Sequence, residues 1–185
     1  MRALRKRYGV AALALEFAVL TATRTSETLN AAWSEFDLAN KLWIISAKRM
    51  KGDREHRVPL CDRAIAIIEE MQTVRASEFV FPGAKRGKSL SNMALLTVLR
   101  RMERGDLTTH GFRSSFRTWA AERTNYQREV IEAALAHTIG DKTEAAYQRG
   151  DLLAKRRVLM TAWATFCDGR AVSRRVVGGN VVAIR

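Results

Sequence analysis

The segment TTHGFRSSFRTW, residues 108–119, combines a histidine and two arginines with large aromatic side chains. If the segment is a helix with about 100° of turn per residue, His110, Arg113 and Arg117 fall within roughly 60° of one another. The opposite side would carry the aromatic residues Phe112, Phe116 and Trp119. The spacing therefore predicts an amphipathic helix with one face for burial and another face that can bind an anion.

Further polar residues stand at the ends of predicted elements or on faces backed by apolar residues. These further residues are Arg24, Lys51, His137 and Tyr147, and they form one set with His110 and Arg113 of the segment above. Cations in such a set could hold a phosphate, and a tyrosine can act as a nucleophile that forms a covalent intermediate. Because a phenol has an ordinary pKa of about 10, the arginines would have to stabilise the charge on the phosphate oxygens.

The sequence offers no alternative set of ligands for a metal ion or a nucleotide. It has three histidines without His-x-x-x-His spacing, and Cys61 and Cys167 lie far apart with no Cys-x-x-Cys motif. A Gly-x-x-x-x-Gly-Lys-Ser/Thr phosphate loop and acidic pairs at a two-metal spacing are not evident. We therefore expect no cofactor and no metal.

Hydrophobic patterning predicts a mainly helical α+β chain with one small antiparallel sheet. Apolar residues from Val10 to about Ala22 favour a buried helix, and Thr25 or Ser26 can cap the next helix. Arg24 is therefore expected at a helix junction. Three short strands are predicted at residues 33–37, 42–46 and 54–60.

Capping residues and apolar periodicity predict more helices after the sheet. They would begin at Asp62, at Ser89 or Ser91, and at Thr108 or Thr109, and others would cover residues 128–137 and 144–166. Residues 169–185 lack a helical period and contain a Gly-Gly pair, so we expect an extended or mobile tail that docks on a partner. The rest of the chain is long enough for one domain, residues 1–168.

The composition favours a polyanionic partner. The chain contains 32 lysines and arginines against 19 acidic residues, which gives a formal net charge of +13 and a pI near 10.7. Nucleic acid fits this charge best, although a ribosomal or membrane-surface protein would also carry it. The basic, apolar amino end imitates a secretion signal, but Glu16 interrupts the apolar run. We expect a cytoplasmic bacterial protein.

In their order and contexts, these residues resemble the catalytic domain of the tyrosine recombinases, the phage integrase family. The motifs that carry the resemblance are TATRTSE with Arg24, AKRMK with Lys51, THGFR with His110 and Arg113, LAH with His137 and AAYQRGD with Tyr147. The segment MKGDREHRVPL is most similar to the hairpin of prophage and satellite-phage integrases. The resemblance covers roughly residues 8–168 and implies the fold of the DNA breaking-rejoining enzymes.

The resemblance also implies a mechanism of site-specific DNA recombination. Tyr147 would attack a DNA phosphodiester and form a 3′-phosphotyrosyl bond, while Lys51 or its neighbour Lys48 would protonate the leaving 5′ oxygen. The residues that would hold the phosphate or assist proton transfer are Arg24, Arg113, His137 and His110. A 5′-hydroxyl of another strand can reverse the step, so neither ATP nor a metal would be required.

The partners implied are double-stranded DNA attachment sites, with a homotetramer on DNA, a monomer in isolation, and accessory DNA-bending proteins. The enzyme would act at the nucleoid during integration or excision of a prophage or mobile element. Additional cations are expected to contact the DNA backbone. These are Lys48, Arg49, Arg117, Lys155, Arg156 and Arg157.

Two other functions remain open at the level of sequence. One is a non-catalytic DNA-binding remnant of an integrase, which would keep the charge and fold but tolerate the loss of Tyr147 or Arg24. The other is a related enzyme, either a type IB topoisomerase or a dimer-resolving recombinase. Family members usually carry a core-binding domain before the catalytic domain, whereas this sequence begins almost at the catalytic fold. We therefore expect weak DNA binding by this chain alone.

Overall fold

The computed structural model describes residues 1–137 and 150–170. Its α-helices are α1 (Val10–Thr21), α2 (Thr25–Leu29), α3 (Asp62–Gln72), α4 (Ala94–Arg101), α5 (Thr109–Arg123), α6 (Arg128–Ala134) and α7 (Leu153–Cys167). Its strands are β1 (Phe36–Asp37), β2 (Leu42–Ile45) and β3 (His56–Pro59), and 3₁₀ turns cover Leu4–Lys6, Trp33–Glu35 and Ala47–Arg49. The predicted α+β fold, mainly helical with a three-stranded antiparallel sheet, is confirmed.

The sheet has the order β1-β2-β3, and both pairings are antiparallel. Trp43 lies opposite Phe36 on one side and Val58 on the other, so a single buried indole joins all three strands. The prediction that a strand begins at residue 33 was wrong, because Trp33–Glu35 forms a 3₁₀ turn. The Glu35 carboxylate accepts the backbone N–H of Ala32 at 3.2 Å and so favours the turn over an extended chain.

Helix α1 lies at the centre of the fold, where it packs against α2, α3, α4, α5 and α7. A helix that is apolar on nearly all sides, as this one is, must be surrounded by other elements. Its one buried acid, Glu16, is 1% exposed and is paired with Arg5 at 2.5 Å and Arg63 at 2.7 Å. These two arginines supply the partners that a buried carboxylate requires.

Two aromatic clusters fill the core on either side of α1. Phe17 of α1 meets the sheet, where Phe36 and Trp43 stack at 5.6 Å. The cluster that joins α5 to α7 is formed by Phe116, Trp119, Trp163 and Phe166. Trp163 also donates from Nε1 to the carbonyl of Val19 at 2.8 Å, which fixes α7 on α1. These contacts determine where the amino ends of α2 and α5 lie.

The helix starts differ in part from the capping predictions. Arg24, and not Thr25 or Ser26, is the N-cap of α2, and Cys61 is the N-cap of α3. Helix α4 begins later than predicted, at Ala94. Before it, Ser89 pairs with Pro82 and the N–H of Leu90 donates to the carbonyl of Phe81, so this backbone is used in a bridge.

The predicted start of α5 is confirmed, because Thr108 caps the helix and accepts the N–H of Gly111 at 3.0 Å. The separation into an apolar face and a charged face is only partly correct. Phe116 and Trp119 are buried, but Arg113 is buried with them at 5% exposure, while His110 and Arg117 are exposed. Within the described ranges, no helix is long and apolar enough to cross a membrane.

Candidate active site

A cavity of about 380 Å³ opens where the amino ends of α2 and α5 meet. Its lining combines three of the predicted site residues with neutral hydrogen-bonding side chains. The residues that line it are Thr23, Arg24, Thr25, Ser26, Asn92, Thr109, His110 and Arg113. Two helix amino ends and two guanidinium groups at one cavity create a positive environment that suits an anion.

Arg24 reaches the cavity from the junction of α1 and α2. Its Nη1 donates to Glu27 Oε1 at 2.6 Å, and its backbone N–H donates to Glu27 Oε2 at 2.8 Å. The same carboxylate therefore caps the first turn of α2 and orients the guanidinium. The side chain of Arg24 keeps 28% of its surface exposed, whereas that of Glu27 keeps 3%. The Arg24 guanidinium is thus fixed by a buried carboxylate and remains partly exposed.

Arg113 enters the cavity from α5 and is held by neutral groups. Its Nη1 donates to the carbonyl of Ala22 at 2.6 Å, and its Nη2 donates to the carbonyl of Leu135. These carbonyls stand at the carboxyl ends of α1 and α6, where a cation complements the helix dipole. Burial and the nearby charge of Arg24 lower the pKa of Arg113 to about 10, so it stays protonated at neutral pH.

His110 lies one turn before Arg113 on α5 and is exposed at the rim of the cavity. The residue before it, Thr109, is 6% exposed, and its Oγ1 has no hydrogen-bond partner among the described residues. The cap at Thr108 fixes this first turn, so the positions of Thr109 and His110 follow from the capping geometry. The imidazole is placed where it can exchange protons with a bound group.

His137 does not line the cavity but is tied to it through α6. Its Nδ1 lies 2.6 Å from Glu132 Oε2, and Arg117 Nη2 lies 2.7 Å from the other oxygen, Oε1. Burial alone would raise the pKa of Glu132, but its hydrogen bonds with His137 and Arg117 outweigh burial and hold that pKa below its ordinary value. Glu132 thus remains a carboxylate that fixes one ring nitrogen of His137.

Lys51 is exposed on the loop between β2 and β3 and does not line the cavity. The structure therefore gathers Arg24, His110 and Arg113 at the cavity, whereas His137 and Lys51 do not line it. Tyr147 and the rest of residues 138–149 lie outside the described residues, as do residues 171–185 of the expected tail. The predicted nucleophile thus stays a prediction.

The six cations predicted to contact DNA fall into two groups. Lys48 and Lys155 are exposed and Arg157 is partly exposed, although Lys155 donates to Gln127 and Arg157 to the carbonyl of Asn40. The guanidinium groups of the others already have acidic partners. These pairs are Arg49 with Glu35, Arg117 with Glu132, and Arg156 with Asp151. Arg156 is only 1% exposed and also donates to the carbonyl of Arg57 at 2.8 Å, so it joins α7 to β3.

The sequence analysis missed the neutral side chains of the cavity wall. Thr23, Asn92 and Thr109 carry no motif, and their only signal is that Thr109 is the first residue of a capped helix. Glu27 and Glu132, which orient Arg24 and His137, were also not predicted to belong to the site. Glu27 could have been found as the third residue of α2, where a carboxylate reaches back to the cap. In the described parts of the chain, no three His, Cys, Asp or Glu residues form a metal-binding group.

Comparisons with known proteins place the chain in a family. Residues 2–151 match the model of the phage integrase family. The chain is 40% identical over 149 residues to prophage integrase IntA of Escherichia coli K12, covering 79% of this chain and 36% of that protein. It is 34% identical over 152 residues to the integrase of Shigella phage Sf6, covering 80% of this chain and 39% of that protein. The chain thus spans about two fifths of the length of these relatives.

The fold also resembles a crystal structure of a lambda integrase dimer bound to a COC' core site. The TM-score is 0.54 at 19% identity, and the alignment covers 81% of this chain and 55% of the other. At this level of identity, the likeness supports the fold alone.

Proposed function

Because the chain belongs to the phage integrase family, we propose that it carries the catalytic domain, residues 1–168, of a site-specific DNA recombinase. The domain would cleave and rejoin double-stranded DNA at attachment sites during integration or excision of a prophage or mobile element. The single observation that carries this proposal is the cavity at which Arg24, Arg113 and His110 converge.

The cavity suits a phosphodiester because both guanidinium groups are fixed before a ligand arrives. Arg24 is oriented by Glu27, and Arg113 by two helix-end carbonyls. Preorganised donors stabilise the charge that develops on phosphate oxygens without a free-energy cost of reorientation during the reaction. Of the two cations, Arg113 has no carboxylate among its hydrogen-bond partners in the described residues, so its charge is offset less directly than that of Arg24.

In the proposed reaction, the phenolic oxygen of Tyr147 forms a bond to phosphorus as the bond to the 5′ oxygen breaks. The phenol gives up its proton with the help of His110, and the leaving 5′ oxygen receives a proton from Lys51. His137, held by Glu132, would donate to a non-bridging phosphate oxygen together with Arg24. The phosphotyrosyl bond keeps the energy of the phosphodiester, so a 5′-hydroxyl can reverse the step.

We further propose that the domain acts as a tetramer on DNA in the bacterial cytoplasm, with accessory DNA-bending proteins. The net charge of +13 supports binding to the phosphate backbone. The exposed Lys48 and Lys155 and the partly exposed Arg157 are the best candidates for that contact, because none of the three is buried. Arg49, Arg117 and Arg156 would instead hold parts of the fold in place.

The proposal is tested by trapping the covalent intermediate on a nicked attachment-site duplex, which loses its short 5′-hydroxyl fragment after cleavage. The unaltered chain should give a protein-DNA band that resists SDS. Tyr147→Phe removes only the attacking oxygen, so it should abolish the band while DNA affinity changes by less than about twofold.

Tyr126→Phe is the matched control, because it removes the phenolic oxygen of a tyrosine on the linker between α5 and α6, away from the cavity lining. It should leave the band intact. An SDS-resistant band that persists in Tyr147→Phe would contradict the assignment of the nucleophile. A chain that binds the duplex but forms no band with any cleavable substrate would instead favour a non-catalytic DNA-binding protein.

A further inference from the structure

The loop that carries Lys51 is attached to the wall of the cavity by one arginine. We propose that Arg49 is a positioning residue that holds Lys51 within reach of the leaving 5′ oxygen. This inference rests on the proposed function, because it assigns a task to a residue that supports the proton donor. It replaces the expectation that Arg49 contacts the DNA backbone.

Arg49 makes two kinds of contact with one guanidinium. Its Nη1 forms an ion pair with both carboxylate oxygens of Glu35, and its Nη2 donates to the backbone carbonyl of Glu27 at 2.7 Å. The side chains of Arg49 and Glu35 are only 23% and 11% exposed, so solvent screens the pair weakly. Arg49 thus turns inward, although it stands in a loop of exposed cations.

The contact with Glu27 links the loop to α2, the helix whose amino end lines the cavity. Glu27 uses its carboxylate to hold Arg24 and its carbonyl to bind Arg49. One residue of α2 therefore fixes both a cation that lines the cavity and the base of the loop that bears Lys51. A shift of α2 that moves Arg24 would move the base of that loop as well.

Glu35 provides a rigid second support for Arg49. Its Oε2 accepts the indole N–H of Trp43 at 2.9 Å and the backbone N–H of Ala32 at 3.2 Å. Trp43 is fully buried in the middle strand of the sheet. The position of Glu35, and hence that of Arg49, is therefore determined by the core and not by the loop.

Lys51 follows this attachment by two residues. Between them, Met50 is 6% exposed and belongs to the hydrophobic core, while residues 51–55 are exposed. The amino side of the loop is thus fixed by one ionic and one apolar contact that end immediately before Lys51. A lysine side chain so close to a fixed point sweeps a limited volume, which raises its effective concentration near the cavity.

The chemistry of the side chain explains why an arginine is needed. Its planar group can bind a carboxylate with one nitrogen and a carbonyl with another, whereas lysine offers a single point charge. Arg49→Lys should therefore keep the charge of the loop but lose one of the two attachments. The charge and the positioning role are separable by this pair of substitutions, Arg49→Lys and Arg49→Gln.

The test compares two nicked duplexes that differ in the leaving atom at the cleaved bond. One has the natural 5′ oxygen, and the other has a 5′ bridging sulfur, which leaves as a thiolate without needing a proton. Arg49→Gln and Arg49→Lys should form the SDS-resistant adduct about 10- to 100-fold more slowly on the oxygen duplex, the range expected when an acid is mispositioned. Both should approach the rate of the unaltered chain on the sulfur duplex. Equal losses on the two duplexes, or no loss on either, would overturn the proposal.

Arg54→Gln is the matched control, since it removes one exposed cation from the same loop at a residue with no assigned role in the reaction. It should weaken DNA binding and lower its salt dependence by about one phosphate contact, with the same effect on both duplexes. Arg49→Gln combined with Glu35→Gln removes the charge that Arg49→Gln alone would leave unpaired, and it should show the same selectivity for sulfur. Lys51→Ala, which removes the proposed acid, is the reference variant, and its rate of adduct formation should be restored on the sulfur duplex.

Hydrogen exchange separates failure of this inference from failure of the proposed function. If the unaltered chain forms no adduct on either duplex, the proposed function fails, but the positioning claim can still be measured in the free protein. Arg49→Gln should speed amide exchange of residues 50–54 and leave α5 unchanged. Exchange in the loop that matches the unaltered chain would refute the attachment itself.

Discussion

The two arginines that meet at the cavity are held in opposite ways. On the α2 wall, Arg24 is part-exposed and bound by the buried carboxylate of Glu27. On the α5 wall, Arg113 is buried and bound by carbonyls at the ends of α1 and α6. One wall binds its cation directly with an acid, and the other binds its cation with carbonyls, with the carboxylates of Glu27 and Glu132 acting only at a distance.

The difference separates two tasks that a phosphate site requires. A carboxylate fixes the direction of Arg24 but offsets much of its charge at longer range. The helix-end carbonyls hold Arg113 without a directly bonded carboxylate, so its charge is offset less directly than that of Arg24, at the cost of burying it. The lowered pKa of Arg113 reports that cost, because burial and the charge of Arg24 both disfavour its protonated form.

The largest effect is expected when either guanidinium is removed. Arg113→Gln and Arg24→Gln should each slow adduct formation by about 10² to 10³, the loss typical of one preorganised donor. If the cation without a bonded carboxylate contributes more to phosphate stabilisation, Arg113→Gln should form the adduct more slowly than Arg24→Gln. Single-turnover cleavage of the nicked duplex measures both rates, and Arg123→Gln at the exposed far end of α5 is the control. An Arg24 variant that is slower than the Arg113 variant would reverse the comparison.

A second test uses His56 of β3 as a probe of charge. Burial lowers its pKa from 6.5 to about 3, with further lowering by Arg156, Arg113 and Arg24. The unfolded chain therefore binds a proton that the folded chain does not bind below pH 6.5, so stability falls on acidification. Between pH 7 and pH 5, the free energy of unfolding should drop by about 2 kcal/mol, and His56→Gln should remove that drop.

The two walls should act unequally on this histidine. Because Arg24 is offset by Glu27, Arg113→Gln should raise the pKa of His56 more than Arg24→Gln does. Denaturant unfolding at several pH values and NMR titration of the imidazole would measure the pKa of His56 in each variant. Equal shifts in the two variants would mean that Glu27 does not compensate Arg24.

The smallest effect concerns the pair that distinguishes the α2 wall. A double-mutant cycle with Arg24→Gln and Glu27→Gln should give a coupling energy of about 1 kcal/mol, reduced by the partial exposure of Arg24. The same cycle with Arg113→Gln in place of Arg24→Gln should give a clearly smaller coupling, since Arg113 does not contact Glu27 directly. Chemical denaturation curves of the four proteins supply each cycle. Equal couplings would show that both arginines depend on the same carboxylate.

Several elements of the fold were predictable because their signals are local. The apolar block from Val10 predicted α1 to within about one residue at its end, and Thr108 predicted the start of α5. The family resemblance implied that Arg24, His110 and Arg113 converge, and these three residues line one cavity in the structure. The 3₁₀ turn at Trp33–Glu35 was not predicted, because it depends on a side chain that returns to its own backbone.

The inward position of two predicted DNA contacts was not predictable from their neighbours. Arg49 and Arg156 stand in runs of basic residues that are typical of a solvated surface. Their partners lie elsewhere in the chain: Glu35 is 14 residues from Arg49, and the Arg57 carbonyl is 99 residues from Arg156. A local charge pattern contains no information about such partners.

By itself, the sequence determined the strong positive charge of this protein and the order of its arginines, histidines and tyrosine. It also determined most of the helices on which these residues lie. Only the tertiary structure decided which cations face the cavity and which are used to hold the fold. The physical reason is that the state of a charged group depends on its burial and on its nearest partners. Both are set by packing between distant segments, so the same arginine can be a ligand, a support or a surface charge.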